Sequence, residues 1–424
     1  MRPLDGITVV ALEQVIAGPF ATRQLAELGA RVIKIERPGA GDASRGYDRT
    51  VKGLSSHFVW TNRSKESLTL DVKHARAGEV LSRLMERADV FLQNLAPGAA
   101  ERLGLGAEAL RKKHPRLIWC GISGYGPAGP YAEKKAYDLL VQCEAGLLSV
   151  TGSPEAPAKA GIPVADIAAG MYAFSAVLAA LIRRGRTGEG ATLDITMFEA
   201  LGEWMSFPAY FTAYGGSAPA RSGAYHATIV PYGPFKAGDG GTVFLSVQNE
   251  REFARFCEQV LQNAALAGDP RFASAPARLQ NREAMHAEID RIFAHLSSDE
   301  VVERLEQADI ANARLNTLEE FWRHPSSRPA VAGTASARPQ ESSRCSSRLS
   351  TSIGWSPAWT PFPRSVSTPN PCFGNWATRS PKCRRCAATA RSSYFFGVSM
   401  PAALARSRCT RATRSTSPLA GKRS

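Results

Sequence analysis

Residues 4–38 read LDGITVVALEQVIAGPFATRQLAELGARVIKIERP, and this stretch decides the fold. The apolar run Ile7–Leu12 is typical of a short buried strand, and the turn Ala17–Gly18–Pro19 opens a helical pattern that ends at Gly29. Arg31–Glu36 then predicts a second strand. Two strands joined through a helix by such short turns indicate a β-α-β unit with parallel strands.

The same alternation of strand and helix patterns continues to about residue 205. A helix near Arg76–Arg87 precedes the strand Val90–Leu92, and a further helix leads into the strand Leu117–Ile122. This rhythm predicts an α/β fold, in which a Rossmann-like parallel sheet with helices on both faces forms a large domain over residues 1–205. Ligands of such sheets bind beyond the carboxyl ends of the strands.

Residues 206–325 carry a looser pattern. Glycine and proline are frequent up to about residue 240, and the stretch beyond contains one strand pattern, Thr242–Val247, and several amphipathic helices. We interpret this region as a linker and a smaller α+β domain.

Charge is distributed unevenly along the chain. The formal net charge is +14, but residues 326–424 contain 16 Lys and Arg and a single acidic residue, Glu341. Residues 1–325 hold the remaining 36 basic and 37 acidic side chains, so this part is nearly neutral. A globular part without excess positive charge has no general attraction for phosphate backbones, and we expect no nucleic-acid partner.

Cysteine usage and the apolar segments predict a cytoplasmic protein. Cys120, Cys143 and Cys257 lie in apolar or helical surroundings, which is typical of buried, reduced thiols. The N-terminus lacks a basic-then-apolar signal pattern. The longest apolar run, Ile167–Ile182, is short for a membrane span and contains Gly170, so it predicts a buried helix and no membrane partner.

Residues 326–424 form an aberrant basic tail. Ser, Arg, Pro and Thr dominate it without periodicity; disorder is one interpretation, but Trp355 and Trp359 fit disorder poorly. If the third base of each codon is read with the first two of the next, Ser326 through Thr334 can encode Gln-Leu-Ala-Ala-Arg-Gly-Arg-Trp-His, an ordinary globular sequence. We therefore interpret the tail as out of frame, and sequencing the source DNA across the Pro325 codon tests this.

Two short motifs carry no function in this interpretation. Cys383 and Cys386 form a Cys-x-x-Cys pair, but no second pair lies at a spacing that suits zinc. Gly-x-Gly occurs at Gly39–Gly41 and Gly104–Gly106 without the rest of a dinucleotide fingerprint, so no nicotinamide cofactor is expected.

Three segments, taken in order and spacing, resemble the class III CoA-transferases of the CaiB/BaiF type. They are Leu4–Pro38 with Gly39–Asp42 and Arg45, Ala88–Gly98, and Ser123–Asp166. The resemblance implies an enzyme that moves CoA from an acyl-CoA donor to a carboxylic acid. It also implies an interlocked homodimer. The similarity is stronger to members that use succinyl-CoA with a dicarboxylic or hydroxy acid.

The resemblance makes Asp166 the catalytic nucleophile. Asp166 follows Gly161–Pro163 at the start of the apolar helix, where exposed N–H groups and the helix dipole stabilise a carboxylate. From the residues alone, a simple N-cap role is the more common explanation of an aspartate at such a place. The family chemistry proceeds through an aspartyl anhydride and an aspartyl-CoA thioester, and it needs neither a metal nor a redox cofactor.

The same resemblance places a set of residues against CoA. Arg37 is expected near the adenine–ribose end and Arg102 near a phosphate. The full set is Ala17, Arg37, Leu70, Lys73, Asn94, Arg102, Lys135 and Tyr137. Without the resemblance, each lone Arg or Lys is best explained as a solvated surface charge.

Two departures from the formyl-CoA transferases argue against formate and oxalate as substrates. Those enzymes have glutamine before the Ala-Gly-Pro turn, where this chain has Ile16, and their glycine-rich substrate loop is not recognisable here. His226, Tyr232 and Gly233 lie in a segment expected to line the acyl pocket, although His226 also fits a structural role.

Two alternatives remain open at this point. An α-methylacyl-CoA racemase shares the fold and the aspartate, but the racemases carry histidine where this chain has Tyr137. Alternatively, the chain is an inactive product, because a tail that is out of frame would leave apolar surface exposed and impair solubility or dimerisation.

Overall fold

The computed structural model describes residues 1–327 and 365–366. Its large sheet has six parallel strands in the order β3-β2-β1-β4-β5-β6, and a two-residue strand at Ser365–Val366 (β10) extends it beside β3. The six strands are β1 Thr8–Leu12, β2 Arg31–Glu36, β3 Glu66–Thr69, β4 Val90–Gln93, β5 Ile118–Ser123 and β6 Ala191–Thr196. The α/β prediction is confirmed.

Ten helices of the described chain accompany this sheet. They are α1 Ala17–Glu27, α2 Ser56–Asn62, α3 Ala77–Met85, α4 Ala99–Arg102, α5 Ala107–Lys113, α6 Asp138–Glu144, α7 Leu147–Val150, α8 Val164–Thr187, α9 Met197–Trp204 and α10 Ser206–Gly215.

The alternation of side chains along each strand builds a core on both faces of the sheet. In β1, Val9 and Ala11 join a cluster with α1 and α8, whereas Val10 and Leu12 join a second cluster with α3 to α5. Successive side chains of a strand point to opposite faces, so a strand covered on both sides is apolar throughout. Helices therefore lie on both faces, as the sequence predicts.

Helix α8 is the longest in the described chain. By length and composition alone it is apolar enough to cross a membrane. Its residues Ala168, Ala169, Ala173 and Val177 are fully buried in the cluster that α8 shares with α1 and the sheet. The predicted buried helix is present and begins three residues earlier than the apolar run.

Residues beyond the large sheet form a second unit with its own core. Three antiparallel strands lie in the order β7-β8-β9: β7 Tyr232–Lys236, β8 Thr242–Ser246 and β9 Ala311–Arg314. Its helices are α11 Glu250–Arg255, α12 Ala275–Gln280, α13 Arg282–Phe293 and α14 Ser298–Gln307, and α15 Leu318–Arg323 follows β9. Five phenylalanines dominate the core: Phe235, Phe253, Phe256, Phe272 and Phe293.

Several predictions of detail need correction. The prediction missed β7 and β9 because Gly233 and Pro234 interrupt the apolar pattern of β7 and because β9 is short and polar. The expectation that all three described cysteines are buried is wrong for Cys143, which is exposed. The pair Cys383–Cys386 lies outside the described residues.

Candidate active site

The carboxyl ends of the parallel strands meet at one edge of the sheet, and the predicted site residues follow them. Ala17 comes after β1, Arg37 after β2, Leu70 after β3, Asn94 after β4 and Tyr137 after β5. Because all these strands are parallel, the segments that follow them lie at the same edge, where ligands of such sheets bind.

Asp166 is the third residue of α8 and not its N-cap. Pro163 occupies the N-cap position, and its side chain makes no capping hydrogen bond. The cap is supplied by Asp138, whose Oδ1 accepts from the Ala165 N–H at 2.8 Å and from the Asp166 N–H at 3.4 Å. The N-cap explanation of Asp166 is therefore wrong, because another carboxylate performs that role.

The side chain of Asp166 lies where two helices begin. Its carboxylate lies near the backbone N–H of Ala17, the first residue of α1, and this N–H favours the ionised form. Burial, followed by the negative charge of Asp138, raises the pKa of Asp166 to about 7, although the Ala17 N–H acts in the opposite direction. Near neutral pH this carboxyl group therefore exchanges between an acid and a nucleophilic anion.

The turn before α1 is fixed on both sides. The backbone of Gln14 forms a pair of hydrogen bonds with Asn94: its N–H donates to Asn94 Oδ1 at 2.7 Å, and its carbonyl accepts from Asn94 Nδ2 at 2.9 Å. Val15 has a φ of 64° and donates its N–H to both carboxylate oxygens of Asp42, at 3.1 and 3.2 Å. Asn94, expected to contact CoA, thus uses its amide to hold this turn.

Below the turn lies a cluster of buried charges, which we call the charged base: Glu13, Lys34, Asp42 and Lys65. Lys34 Nζ lies 2.6 Å from Asp42 Oδ2, and Lys65 Nζ lies 2.7 Å from Glu13 Oε1. All four side chains are almost completely inaccessible to water. Burial lowers the pKa of Lys65 to about 7, and only the contacts with acids such as Glu13 oppose that shift.

Tyr47 lies close enough to Asp166 to sense its charge, and it was absent from the sequence prediction. It follows the 3-10 turn Ala43–Gly46. Burial comes first among the causes that raise the pKa of the Tyr47 hydroxyl, followed by the charges of Asp42 and Asp166 and by Tyr137. Tyr47 and Tyr137 are both exposed, with 52% and 71% of their surfaces accessible. Tyr47 lies two residues after Arg45, so the Gly39–Arg45 motif is the sequence feature from which its place near the site could have been predicted.

The predicted CoA contacts Arg37, Lys73, Arg102 and Lys135 are exposed at this edge of the sheet. Arg37 donates from Nε to the Gly41 carbonyl at 2.9 Å, and Arg102 donates to the Pro97 carbonyl at 3.3 Å. Within residues 1–327 none of the four cations forms an ion pair, so their charges remain for an anion.

The observed contacts of His226 are made with neighbouring residues of the second unit. Its Nδ1 accepts from the N–H groups of Thr228 and Ile229, at 3.2 and 3.0 Å, and its ring stacks on Tyr232 with centroids 5.1 Å apart. Burial and the neighbouring Arg282 lower the pKa of His226, which keeps the ring neutral. These contacts agree with the structural alternative for this histidine.

A doubly wound sheet with a carboxylate at its ligand-binding edge defines an α/β enzyme that can use an acid as its nucleophile. Residues 4–375 match the model of CoA-transferase family III, and the chain belongs to this family. It is a class III CoA-transferase. The match extends past residue 325, into the tail that we interpret as out of frame.

Individual relatives agree with this assignment. A succinyl-CoA:glutarate CoA-transferase of Mus musculus is 34% identical over 328 residues, which cover 76% of this chain and 74% of the relative. An acetyl-CoA:oxalate CoA-transferase of Acetobacter aceti is 37% identical over 294 residues, which cover 69% and 75%. The crystal structure of a CaiB/BaiF family protein from Brucella suis superposes with a TM-score of 0.68 at 33% identity, covering 77% of this chain and 87% of that one.

Proposed function

We propose that this chain transfers CoA from succinyl-CoA to a dicarboxylic or hydroxy acid through covalent intermediates on Asp166. The observation that carries this proposal is the placement of Asp166: a half-buried carboxylate at the ligand-binding edge, near the Ala17 N–H at the start of a second helix. Relatives named as succinyl-CoA-dependent transferases support the donor.

The proposed chemistry begins with the ionised form of Asp166. One carboxylate oxygen attacks the thioester carbonyl carbon, the C–S bond breaks, and CoA leaves as a thiolate, which creates a mixed anhydride. The thiolate then attacks the aspartyl carbonyl, releasing the donor acid and forming an aspartyl-CoA thioester. The acceptor carboxylate reverses these two steps, so the final products are the new acyl-CoA and free Asp166. No step needs a metal or a redox cofactor.

The proposed CoA site uses the exposed cations at the edge of the sheet. Arg37 is assigned to the adenine–ribose end and Arg102 to a phosphate, while Lys73 and Lys135 lie on the neighbouring segments. Leu70 and Tyr137 offer apolar surface to the nucleotide or the pantetheine arm. Charge-assisted hydrogen bonds from Arg and Lys are the usual means of holding phosphate groups.

The direct test of this function is trapping of the covalent intermediate. The protein is incubated with succinyl-CoA and then treated with hydroxylamine or borohydride, and mass spectrometry locates the modified residue. We expect a modification on Asp166, and we expect Asp166→Asn to lose at least about a thousandfold in kcat. Asp299→Asn is the matched control, since Asp299 also lies in the first turn of a helix and is exposed. An Asp166→Asn variant with full activity would refute the mechanism.

A panel of acceptor acids addresses the second substrate. Ile16, in place of the glutamine of the formyl-CoA transferases, leads us to expect glutarate-like dicarboxylates or hydroxy acids in preference to formate and oxalate. The similarity to an acetyl-CoA:oxalate transferase makes oxalate the critical comparison in that panel. Turnover with oxalate that exceeds turnover with every dicarboxylate of longer chain would contradict the proposed acceptor.

We further propose that the active form is a homodimer in the cytoplasm. Helices α9 and α10 expose a run of aromatic side chains that a monomer would leave in water: Trp204, Phe207, Tyr210, Phe211 and Tyr214. If the basic tail is out of frame, we expect this chain to be poorly soluble or impaired in dimerisation. Size-exclusion chromatography with light scattering tests this, and a stable compact dimer would contradict the effect of the tail.

A further inference from the structure

Helices α1 and α8 approach each other closely at Gly170. This glycine lies one helical turn after Asp166, so both residues are on the same face of α8. A Cβ atom added to Gly170 would lie 2.8 Å from the Ala17 carbonyl oxygen and 3.0 Å from Cδ1 of Phe20. Any side chain at this position would push the first turn of α1 away from α8, and the Ala17 N–H belongs to that turn.

The opposite side of the same turn is held by Asp42. Val15 adopts the left-handed conformation, which a β-branched residue rarely adopts and which persists only where the surroundings impose it. Asp42 imposes it by accepting the Val15 N–H. Asp42 is itself fixed by Lys34 at 2.6 Å and by the Ser44 N–H at 2.8 Å. The charged base therefore holds a strained backbone in place.

The turn that these contacts hold leads directly into Ala17, which packs against α8 at Gly170 and whose N–H lies near the Asp166 carboxylate. Strained backbone and buried charges concentrate at functional sites because the fold must supply their free energy from elsewhere.

We propose that Gly170 and Asp42 are positioning residues, which act from opposite sides to hold the Ala17 N–H against the Asp166 carboxylate. This proposal rests on the proposed function of Asp166. An oriented carboxylate attacks a bound thioester without first losing rotational freedom. The N–H also favours the ionised, nucleophilic form of the group.

The first test compares two glycines of the same helix. In Gly170→Ala we expect kcat to fall by about 10- to 100-fold. We expect the acidic limb of its kcat/KM profile to move to higher pH, because the Ala17 N–H no longer favours the anion. The other polar groups near Asp166, which are Asp138, Tyr47 and Tyr137, remain in place.

Gly185→Ala is the matched control. Gly185 also lies in α8, but an added Cβ would meet no atom within 4 Å. This variant should retain the kcat, KM and pH profile of the wild type. A Gly170→Ala protein that keeps the wild-type kcat and the wild-type acidic limb would overturn the positioning role.

A rescue experiment covers the case in which Gly170→Ala does not fold. Asp42→Asn should lower kcat because it weakens the contact that holds Val15. The double variant Asp42→Asn/Val15→Gly should have a kcat at least about threefold higher than Asp42→Asn alone, since glycine adopts the left-handed conformation without steric cost. Absence of recovery would contradict the role of Asp42. These outcomes differ from a failure of the proposed function itself: if Asp166 is not the nucleophile, Asp166→Asn remains active.

Discussion

The two cores of this protein bury different kinds of side chain. The small unit has a core with five phenylalanines, and it also buries one arginine, Arg278, whose guanidinium donates to Glu250 and to two backbone carbonyls. The large unit buries the charged base, with two lysines and two acids, directly below the turn that leads to the active site. An apolar core stabilises a fold without a desolvation cost for charged groups. Buried ion pairs pay that cost, so they add little net stability over apolar residues of the same size.

This difference indicates that the charged base was retained for what it positions and not for stability. The core of the small unit contains no residue that we assign to the reaction, so packing of large apolar side chains is sufficient there. The large unit must also hold an unusual turn and a carboxyl group with a raised pKa.

The largest effect is expected from breaking the charged base. Lys34→Met leaves Asp42 buried without its cationic partner, which should reduce the free energy of unfolding by about 3–5 kcal/mol. Urea unfolding measures the loss, and Lys113→Met, at an exposed position of α5, should change it by less than about 0.5 kcal/mol. A Lys34→Met protein as stable as the wild type would show that buried Asp42 does not need Lys34 as its cationic partner.

A comparable loss in the small core should have a different functional signature. Phe293 is fully buried, and Phe293→Ala should cost about 3 kcal/mol through lost transfer free energy and a residual cavity. Below its unfolding temperature the variant should keep the wild-type acidic limb of the kcat/KM profile. A shift of that limb would show that the small core also controls the site, against the division between the two cores.

Asp166 itself should reduce stability at neutral pH. Its pKa is raised from 3.8 to about 7, so the folded protein binds the proton more tightly than the unfolded chain. The stability due to the protonated form is complete below about pH 3.8 and is lost as pH rises through about 7. Asp166→Asn has no such loss, so at pH 8 it should be about 2 kcal/mol more stable than the wild type, after allowance for solvent screening.

The measurement is urea unfolding of both proteins at pH 8, 6 and 4. The advantage of Asp166→Asn should shrink at each step and nearly vanish at pH 4, where Asp166 is protonated in the folded state. An advantage that does not depend on pH would mean that packing, and not ionisation, causes it.

Much of the large unit was predictable from the sequence because its strands are apolar runs between clear turns. Arg31–Glu36 has the predicted bounds, and the predicted strand Ile7–Leu12 differs from β1 by one residue. Strand β3 reads ESLT, and β6 contains Asp194; neither has an apolar run, and neither was predicted. Their pairing with neighbouring strands defines them, and a local pattern does not record such pairing.

For the candidate site, too, features that appear as local sequence motifs were predictable, and contacts between residues distant in sequence were not. Asp166 was predicted from the order of motifs along the chain. The contact of Asp42 with Val15 joins residues 27 positions apart, and the cap from Asp138 to Ala165 also spans 27. The φ of Val15 has no sequence signal at all, because valine is among the residues least suited to that conformation. The proposed nucleophile was therefore predictable from the sequence, whereas the residues proposed to position it were not.

The smallest predicted effect concerns Asp138, which caps α8 and whose negative charge also raises the pKa of Asp166. Asp138→Asn keeps an acceptor for the Ala165 N–H, since asparagine caps helices about as well as aspartate, so stability should change by less than about 1 kcal/mol. Removing the negative charge takes away the second cause of the raised Asp166 pKa. The acidic limb of kcat/KM should therefore move below pH 7, and at pH 6 the variant should exceed the wild type by about two- to fivefold. Measuring the two profiles across pH 5 to 9 decides this. An unchanged acidic limb would mean that burial alone raises the pKa of Asp166. The apolar core of the small unit could bury a carboxyl group equally well, so the raised pKa would then not distinguish the two units.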